Sequence, residues 1–260
     1  MTNAQPGGPL TGRTALVTGA ASGIGAAVAR RMAADGATVL AVDLDGAGVK
    51  AVARDVAGVE PVVCDLSDLA AVDALPGEVD VLVNNAGVQH VAPVHEFDPE
   101  RFSTILKIML EAPFRLSRRV LPHMYEQGWG RIINISSVAG LEPGYSPADY
   151  ASAKAALNSL TLALSSSLAR TGITANIVSP GPILTDALQP VIDSTAESRG
   201  WKETGEAREQ RFLAEVMPLK VSRIGRPDDI GAAVAFFATP AADYITGANL
   251  RVDGGQSASI

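Results

Sequence analysis

A tyrosine and a lysine, Tyr150 and Lys154, stand four residues apart in a segment with a helical pattern. This spacing places both side chains on one face of a helix, one turn apart. A tyrosine with its ordinary pKa of about 10 is a poor acid or base at neutral pH. A cation one turn away is expected to lower the Tyr150 pKa toward the working range. The pair therefore indicates proton transfer, although a packing tyrosine beside an exposed lysine has the same spacing.

A serine, Ser137, ends a short apolar run that is typical of a β-strand, upstream of Tyr150. The end of a strand can bring this hydroxyl to the same crevice as the tyrosine. There the serine would polarise a carbonyl while Tyr150 gives or takes the proton. The three residues thus predict chemistry at an alcohol or ketone carbon.

A glycine-rich turn, Thr18-Gly-Ala-Ala-Ser-Gly-Ile-Gly25, lies between a predicted strand and a predicted helix. Small residues let the backbone approach a pyrophosphate, and the helix offers free N–H groups. Asp43 ends the next strand, where a carboxylate can bind both ribose hydroxyls of NAD and repel the 2′-phosphate of NADP. No arginine follows it, since Leu44 and Asp45 come next. We predict a preference for NAD; an ordinary loop or capping aspartate is the alternative.

Short Val- and Ile-rich runs alternate with helical patterns along the chain, as in a parallel sheet covered on both faces. We predict a single α/β domain over residues 1–260, with a doubly wound, seven-stranded parallel sheet of the Rossmann type. The predicted strands are 14–17, 38–42, 59–63, 79–83, 131–135, 174–178 and 248–252, and the predicted helices are 23–34, 46–54, 100–126, 149–170 and 228–238.

Two segments fall outside this alternation. Residues 1–12 are small, polar and rich in Pro and Gly, and are expected to form a loose tail. Residues 185–221 form a long charged insertion with isolated apolar residues, which favours a helical lid over a substrate site.

Composition excludes several other classes of protein. The net charge of −7 and the lack of a basic block argue against nucleic-acid binding. The three histidines show no zinc-ligand spacing, so no metal is expected. No apolar run is long enough for a membrane helix. The single cysteine, Cys64, excludes an internal disulfide and agrees with the reducing cytoplasm.

Several separate motifs occur in an order that resembles the short-chain dehydrogenase/reductase family over nearly the whole chain. They are Thr18-Gly19…Gly23-Ile24-Gly25, Asp65, Asn84-Asn85-Ala86-Gly87, Ser137, Tyr150-Ala-Ser-Ala-Lys154, Pro180-Gly181 and Val252-Asp253-Gly254-Gly255. The resemblance implies NAD-dependent oxidation or reduction, with Ser137, Tyr150 and Lys154 as catalytic residues. It also implies a homotetramer.

The cofactor residues follow from the glycine turn, the loops at the ends of the strands and this resemblance. Lys154 would hold the nicotinamide ribose, and the segment from Pro180 would line the carboxamide. The full set is Gly19, Ser22, Gly23, Ile24, Gly25, Asp43, Leu44, Cys64, Asp65, Leu66, Asn85, Ala86, Gly87, Tyr150, Lys154, Pro180, Gly181, Ile183 and Thr185.

One position departs from the family pattern. An asparagine that usually holds a water for proton relay is replaced here by Met109. A thioether cannot supply the donors and acceptors of an amide. The relay must therefore use other groups, or the activity is reduced. A protein that binds NAD but has lost its chemistry is the alternative from another class.

The substrate is expected to be a secondary alcohol or ketone with a hydrophobic body. Gln89, within Asn85-Ala-Gly-Val-Gln-His-Val-Ala-Pro93, resembles the carboxylate-binding glutamine of 3-hydroxybutyrate dehydrogenases. Those enzymes have a histidine and a lysine where this chain has Ala139 and Pro147. The substrate residues are predicted to be Gln89, Ala139 and Tyr145, in an apolar pocket completed by Val91, Leu141, Pro182 and either Trp201 or Met217. A hydroxybutyrate-type hydroxy acid is the alternative.

Overall fold

The computed structural model describes residues 7–89, 92–144 and 146–257 of the 260-residue chain. Seven strands form one parallel sheet, which confirms the predicted fold class. They are β1 Thr14–Thr18, β2 Thr38–Asp43, β3 Val59–Val63, β4 Val81–Asn84, β5 Gly130–Ile135, β6 Ile173–Pro180 and β7 Asn249–Val252. Each agrees with its predicted range to within two residues at either end.

The strand order is β3-β2-β1-β4-β5-β6-β7. The chain runs outward from β1 in one direction and then returns to add β4 on the other side of β1. A crevice opens outside the carboxyl ends of the strands at such a reversal, and ligands of open α/β sheets bind there. The glycine turn follows β1 and the Asn85-Ala86-Gly87 segment follows β4, so both lie at this crevice.

Helices cover both faces of the sheet. They are α1 Gly23–Ala34, α2 Gly46–Asp55, α3 Leu69–Asp73, α4 Pro99–Leu106, α5 Ala112–Gln127, α6 Ala148–Ser167, α7 Gln189–Ser198, α8 Gly205–Glu215 and α9 Pro227–Ala238. Successive residues of β1 point to opposite faces: Ala15 and Val17 enter the core beneath α1 and α9, whereas Leu16 enters the core beneath α5. Burial on both faces explains why the strands are almost continuously apolar.

The helix predicted over residues 100–126 is present and is helical throughout, but its winding changes within it. Helices α4 and α5 are joined by a five-residue π-helical turn, Lys107–Glu111. A π turn inserts an extra residue into the helical ladder and often marks a functional site. Sequence patterns also missed α3, a short helix whose first turn is capped by the Asp68 side chain.

The segment 185–221 contains helices α7 and α8 and has a small core of its own. Trp201, Phe212 and Ile192 are buried there, with Met217 packed against them. On the outer surface of this segment, Arg211 forms an ion pair with Glu203 at 3.0 Å. The segment is therefore helical, as predicted.

The last residues of the predicted loose tail, residues 1–12, are not loose in the structure. Leu10 is fully buried in the main core, and its backbone N–H donates to the Asp35 carbonyl at 2.9 Å. Residues 1–6 lie outside the described part of the chain. Within the described ranges, no helix has the length and apolar character needed to cross a membrane.

Candidate active site

The glycine turn after β1 is held by the segment after β4. Gly19 has a φ of +66°, a conformation that favours glycine. A side chain on Gly25 would lie 1.9 Å from the Gly19 carbonyl oxygen, so only glycine fits there. The Asn85 side-chain amide donates to the Thr18 and Gly19 carbonyls at 2.9 and 3.1 Å. The turn is thus fixed before any ligand binds.

The first turn of α1 is free to bind an anion. Its N-cap residue, Ser22, makes no side-chain capping bond. The N–H groups that open a helix lack partners within that helix, and the helix dipole adds positive potential there. Gly23 faces Thr185, whose methyl group would be 3.4 Å from a Cβ on that glycine. Backbone N–H groups, a close backbone approach and a threonine therefore surround one position, which fits a dinucleotide pyrophosphate.

The Asp43 carboxylate ends β2 beside this turn. One oxygen accepts the Ala21 N–H and the other accepts the Asp45 N–H, both at 3.0 Å. Leu44 is 67% exposed and Cys64 is buried at the end of β3. The structure thus places the carboxylate and a partly apolar surface next to the glycine turn.

The remaining predicted residues of the β3 loop are divided between surface and core. Asp65 is exposed, and its carboxylate accepts the Ser67 N–H at 2.8 Å, which lowers the pKa of Asp65. Leu66 is buried in the core beneath α5.

The segment after β6 packs against the C-terminal motif. A Cβ on Gly181 would lie 2.7 Å from the Cα of Asp253, so this backbone approach requires glycine. Ile183 forms a β-bridge with Gly225, and the Leu184 N–H donates to the Gly225 carbonyl at 2.8 Å. The predicted carboxamide-binding segment is therefore fixed on both sides.

The Ser137 hydroxyl lies close enough to the Tyr150 phenol to influence its pKa. The serine opens a 3-10 turn, Val138–Gly140, and its hydroxyl oxygen accepts the Ala139 N–H at 3.1 Å. That bond orients the hydroxyl so that its hydrogen can point to the phenol oxygen. Burial raises the pKa of Tyr150 above its usual value, and the hydrogen bond from Ser137 opposes this rise.

Lys154 lies deeper than Tyr150, with its residue surface only 3% exposed. The ammonium donates to the Ile135 carbonyl at 2.7 Å and lies 5.6 Å from the centre of the Tyr150 ring. Burial lowers the pKa of Lys154 to about 8. The expectation that Lys154 lowers the Tyr150 pKa is not met, because burial is the largest influence on both groups.

Met109 lies in the π turn and is 1% exposed. It packs with Ile105, Ala153 and the partly buried Tyr150. Its Cε methyl reaches to 3.9 Å from the point that a Cβ on Gly87 would occupy, and the Lys154 ammonium reaches to 3.7 Å from the same point. Met109 therefore lies beside Tyr150 and Lys154.

Sequence reasoning missed the polar groups behind the site. Asn84 donates to Asn134, and Asn134 donates to Thr161, both at 2.8 Å. This buried chain of hydrogen bonds joins β4 and β5 to α6. Asn158 donates to the Gly140 carbonyl at 3.1 Å and holds the serine turn on α6. Asn158 lies one helical turn after Lys154, and that spacing alone could have drawn attention to it.

The predicted substrate residues are only partly brought together. Ala139 is buried next to Ser137, whereas Gln89 is exposed. Tyr145 and Val91 lie outside the described residues. Trp201 is buried in the core of the 185–221 segment and the partly buried Met217 packs against it, so both have a packing role there.

Comparisons with known proteins agree with this arrangement. Residues 13–196 match the model of the short chain dehydrogenase family. The chain is 35% identical over 257 residues to a D-beta-hydroxybutyrate dehydrogenase of Cupriavidus necator, covering 95% of this chain and 98% of the relative. It is 39% identical over 263 residues to a 4-formylbenzenesulfonate dehydrogenase of Comamonas testosteroni, covering 95% and 99%.

A solved structure described as an NAD(P)-dependent gluconate 5-dehydrogenase from Beutenbergia cavernae, with bound NADP, superposes with a TM-score of 0.80. It is 37% identical, and the match covers 96% of this chain and 98% of that one. This chain therefore belongs to the short-chain dehydrogenase family, whose members are oxidoreductases that act on CH–OH groups with a nicotinamide cofactor.

Proposed function

We propose that this protein transfers a hydride reversibly between NAD(H) and a secondary alcohol or ketone with a hydrophobic body. The observation that carries the proposal is the buried Lys154 ammonium, which lies 5.6 Å from the centre of the Tyr150 ring, with the Ser137 hydroxyl close to the phenol. The nicotinamide supplies a two-electron acceptor or donor. The glycine turn, the uncapped start of α1 and Thr185 fit its dinucleotide.

Each catalytic residue has one role in this proposal. Ser137 donates to the substrate oxygen and holds the carbonyl in place. Tyr150 takes the hydroxyl proton during oxidation and returns it to the oxygen during reduction. Lys154 would provide positive charge near the Tyr150 ring, 5.6 Å from its centre, and would hold the ribose. The Ser137 hydroxyl has a single hydrogen, which turns from the phenol to the substrate oxygen when the substrate binds.

The assignment of Tyr150 is tested by Tyr150→Phe, which keeps the ring and removes the acid. We expect the rate of NAD reduction over a panel of secondary alcohols to fall by about 10²–10⁴-fold. Binding of NADH, followed by its fluorescence, is the control for folding and should change little. Turnover of the variant at the wild-type rate would rule out the assignment.

NAD is proposed over NADP because of Asp43. Its carboxylate accepts the Ala21 and Asp45 N–H groups beside the glycine turn, which supports a role in accepting ribose hydroxyls and repelling a 2′-phosphate. The related structure with bound NADP is a separate protein and leaves this preference to be measured. Comparison of kcat/KM for the two cofactors tests it, and a preference for NADP would contradict it.

A substrate with an apolar body is proposed because two residues near Ser137 and Tyr150, Ala139 and Pro147, carry no charge. Ala139 is buried and lacks a polar group, and Pro147 precedes α6 without an ammonium. Leu141, 43% exposed, extends the apolar surface. A small carboxylate would therefore lack charge-assisted hydrogen bonds from these positions.

A 3-hydroxybutyrate-type hydroxy acid is the second candidate, favoured by Gln89 and by the similarity to the hydroxybutyrate dehydrogenase. The two candidates are separated by kcat/KM for 3-hydroxybutyrate and for a bulky apolar secondary alcohol. We expect the apolar alcohol to be preferred. A catalytically inactive NAD-binding protein, suggested by Met109, would bind NADH and turn over neither.

We also propose a homotetramer in the cytoplasm. The tetramer follows from the family resemblance, and the location follows from a single cysteine that is free and buried. Light scattering of the purified protein tests the tetramer, and a monomeric mass would contradict it. Cell fractionation tests the location, and recovery outside the cytoplasmic fraction would contradict it.

A further inference from the structure

The strand end that leads into Ser137 is attached to α6. The Lys154 ammonium donates to the Ile135 carbonyl at 2.7 Å. The Ser136 hydroxyl donates to the Lys154 backbone carbonyl at 3.3 Å. Both bonds are made by Lys154, so the chain is fixed immediately before the serine by a residue that already has a catalytic role.

A second attachment lies on the other side of Ser137, at the end of the segment 137–140, which we call the serine turn. There the Asn158 side-chain amide donates to the Gly140 carbonyl at 3.1 Å. A Cβ on Gly140 would lie 2.9 Å from the Asn158 amide nitrogen and 2.9 Å from the carbonyl carbon of Lys154. The serine turn therefore packs directly on α6 and is held at both ends.

Hydrogen bonds within the serine turn connect its far end to the Ser137 hydroxyl. The Gly140 N–H donates to the Ser137 carbonyl at 3.0 Å, and the Ala139 N–H donates to the Ser137 hydroxyl oxygen at 3.1 Å. These N–H groups belong to a single 3-10 turn, Val138–Gly140. A displacement of Gly140 therefore moves the groups that orient the hydroxyl.

The Asn158 amide is buried for the sake of this one bond. The residue is 9% exposed, and its side-chain oxygen is buried without a hydrogen-bond donor among the residues that the structure describes. A buried polar atom without a partner costs free energy, so packing alone would favour an apolar side chain here. Rotation of the amide would bring its oxygen against the Gly140 carbonyl oxygen, so that carbonyl sets the orientation of the side chain.

Resting on the proposed function, we propose that Asn158 is a positioning residue that fixes the Ser137 hydroxyl for reaction by holding the Gly140 end of the serine turn on α6. Asn158 acts through the turn, because its amide is bound to the Gly140 carbonyl. Reaction rates depend steeply on such placement: an error of about 1 Å can lower a rate by about 10²-fold. Loss of the Asn158 bond should therefore lower turnover, and only while Ser137 is present.

The first test is a double-mutant cycle with Asn158→Leu and Ser137→Ala. Leucine keeps a side chain branched at the same carbon and removes the donor. We expect kcat for alcohol oxidation to fall by about 10–10²-fold in Asn158→Leu, with little change in the dissociation constant of NADH. In the Ser137→Ala background the same substitution should change kcat by less than about two-fold, since the hydroxyl is absent. Equal losses in both backgrounds, or a wild-type kcat in Asn158→Leu, would overturn the proposal.

A second test needs no turnover. The Ser137 hydroxyl lowers the pKa of Tyr150, so a displaced hydroxyl should leave that pKa higher. The ultraviolet absorbance of tyrosinate is titrated for each protein and for its Tyr150→Phe counterpart, and the difference follows Tyr150 alone. We expect the midpoint to move to higher pH in Asn158→Leu, in the same direction as in Ser137→Ala. A midpoint that moves in Ser137→Ala and stays at the wild-type pH in Asn158→Leu would contradict the role of Asn158.

Thr161→Val is the matched control for a general loosening of α6. It removes another buried hydrogen bond of this helix, the one from the Asn134 amide, and leaves the bond to Gly140 in place. The variant should be less stable than the wild type but should keep the wild-type midpoint of Tyr150. An equal shift of the midpoint in Thr161→Val and Asn158→Leu would assign the effect to the helix as a whole and overturn the proposal.

These measurements separate the role of Asn158 from the function on which it rests. A wild-type protein that binds NADH and oxidises no alcohol contradicts the proposed function, and the titration of Tyr150 then still decides whether Asn158 positions Ser137. Turnover by the wild type, with an unchanged kcat and midpoint in Asn158→Leu, contradicts the role of Asn158 alone. Should Asn158→Leu not fold, Asn158→Ala removes the same donor without adding atoms and takes its place in every comparison.

Discussion

Opposing influences act on the pKa of Tyr150. Burial favours the neutral phenol, whereas the hydrogen bond from Ser137 favours the phenolate. Oxidation of an alcohol needs the phenolate, and reduction of a ketone needs the phenol. The site described above therefore favours the acid form of Tyr150, and Ser137 is the neighbour that moves the phenol toward its basic form.

Replacement of Ser137 by alanine tests this balance. Ser137→Ala removes the influence that lowers the Tyr150 pKa, so the rise of kcat/KM with pH in the oxidation direction should move to higher pH. The rate at its plateau should also fall, by about 10²-fold, because an oxyanion donor is lost. A pH profile with an unchanged midpoint would show that the hydrogen bond does not influence the phenol.

Lys154 links the site to stability. Its pKa is about 8 in the folded protein against 10.5 when unperturbed, so the unfolded chain binds more protons between these values. Stability from this group therefore rises as pH increases from about 8 to about 10.5. Below pH 8 the buried charge is fully present and its cost is greatest.

Comparison with Lys154→Met isolates that contribution, since all other groups are common to both proteins. We expect the unfolding free energy of the wild type to gain about 3 kcal/mol relative to the variant across this pH window. Urea unfolding at pH 7, 9 and 10 measures it. A difference that stays constant with pH would contradict the lowered pKa.

At the scale of elements, α6 brings the site together. Tyr150 and Lys154 lie on the face of this helix that meets β5, and Thr161 binds Asn134 from the same helix. The spacing of Tyr150 and Lys154 was readable from the sequence. The chain of hydrogen bonds from Asn84 through Asn134 to Thr161 could not be read from the sequence, because its members come from three separate elements.

Thr161→Val tests the connection between the sheet and α6. Valine has the shape of threonine but leaves the Asn134 amide N–H without its acceptor in a fully buried position. We expect the free energy of unfolding to fall by about 1–3 kcal/mol. Thr161→Ser keeps the hydroxyl and is the matched control; equal losses in the two variants would assign the effect to packing.

At the scale of the whole molecule, the reversal of strand order between β1 and β4 creates the cofactor crevice. The turn after β1 and the segment after β4 hold each other through Asn85, and α9 packs beside α1 on the same face of the sheet. A cofactor that binds there should stabilise the entire fold, because it binds the folded state alone.

Thermal or urea unfolding with NADH and NADPH measures this effect. At 100 times its dissociation constant, NADH should add about 2.7 kcal/mol to the unfolding free energy. NADPH at the same concentration should add less than about 0.5 kcal/mol if its affinity is 100-fold lower. In the Asp43→Ala variant, the difference between the stabilisation by NADH and the stabilisation by NADPH should be smaller. Equal stabilisation of the wild type by both cofactors would contradict the role of Asp43.

The sequence by itself determined the sheet, the glycine turn and the identity of the Ser137, Tyr150 and Lys154 set. These depend on local periodicity, on residue type and on short spacings, all of which can be seen along the chain. The resemblance to the family also implied that Met109 stands where an asparagine is usual. The sequence predicted a helix through Met109 but not the π turn within it, because a π turn has no period of its own in so short a segment.

Only the tertiary structure decided how these residues act on one another. The raised pKa of Tyr150 and the lowered pKa of Lys154 come from desolvation, which is the sum of many neighbours from separate elements. The burial of Trp201 in the small core of the 185–221 segment also depends on neighbours from separate elements. The approach of Met109 and Lys154 to Gly87 brings a helix, a strand end and a second helix together, and no local pattern in the sequence encodes that meeting.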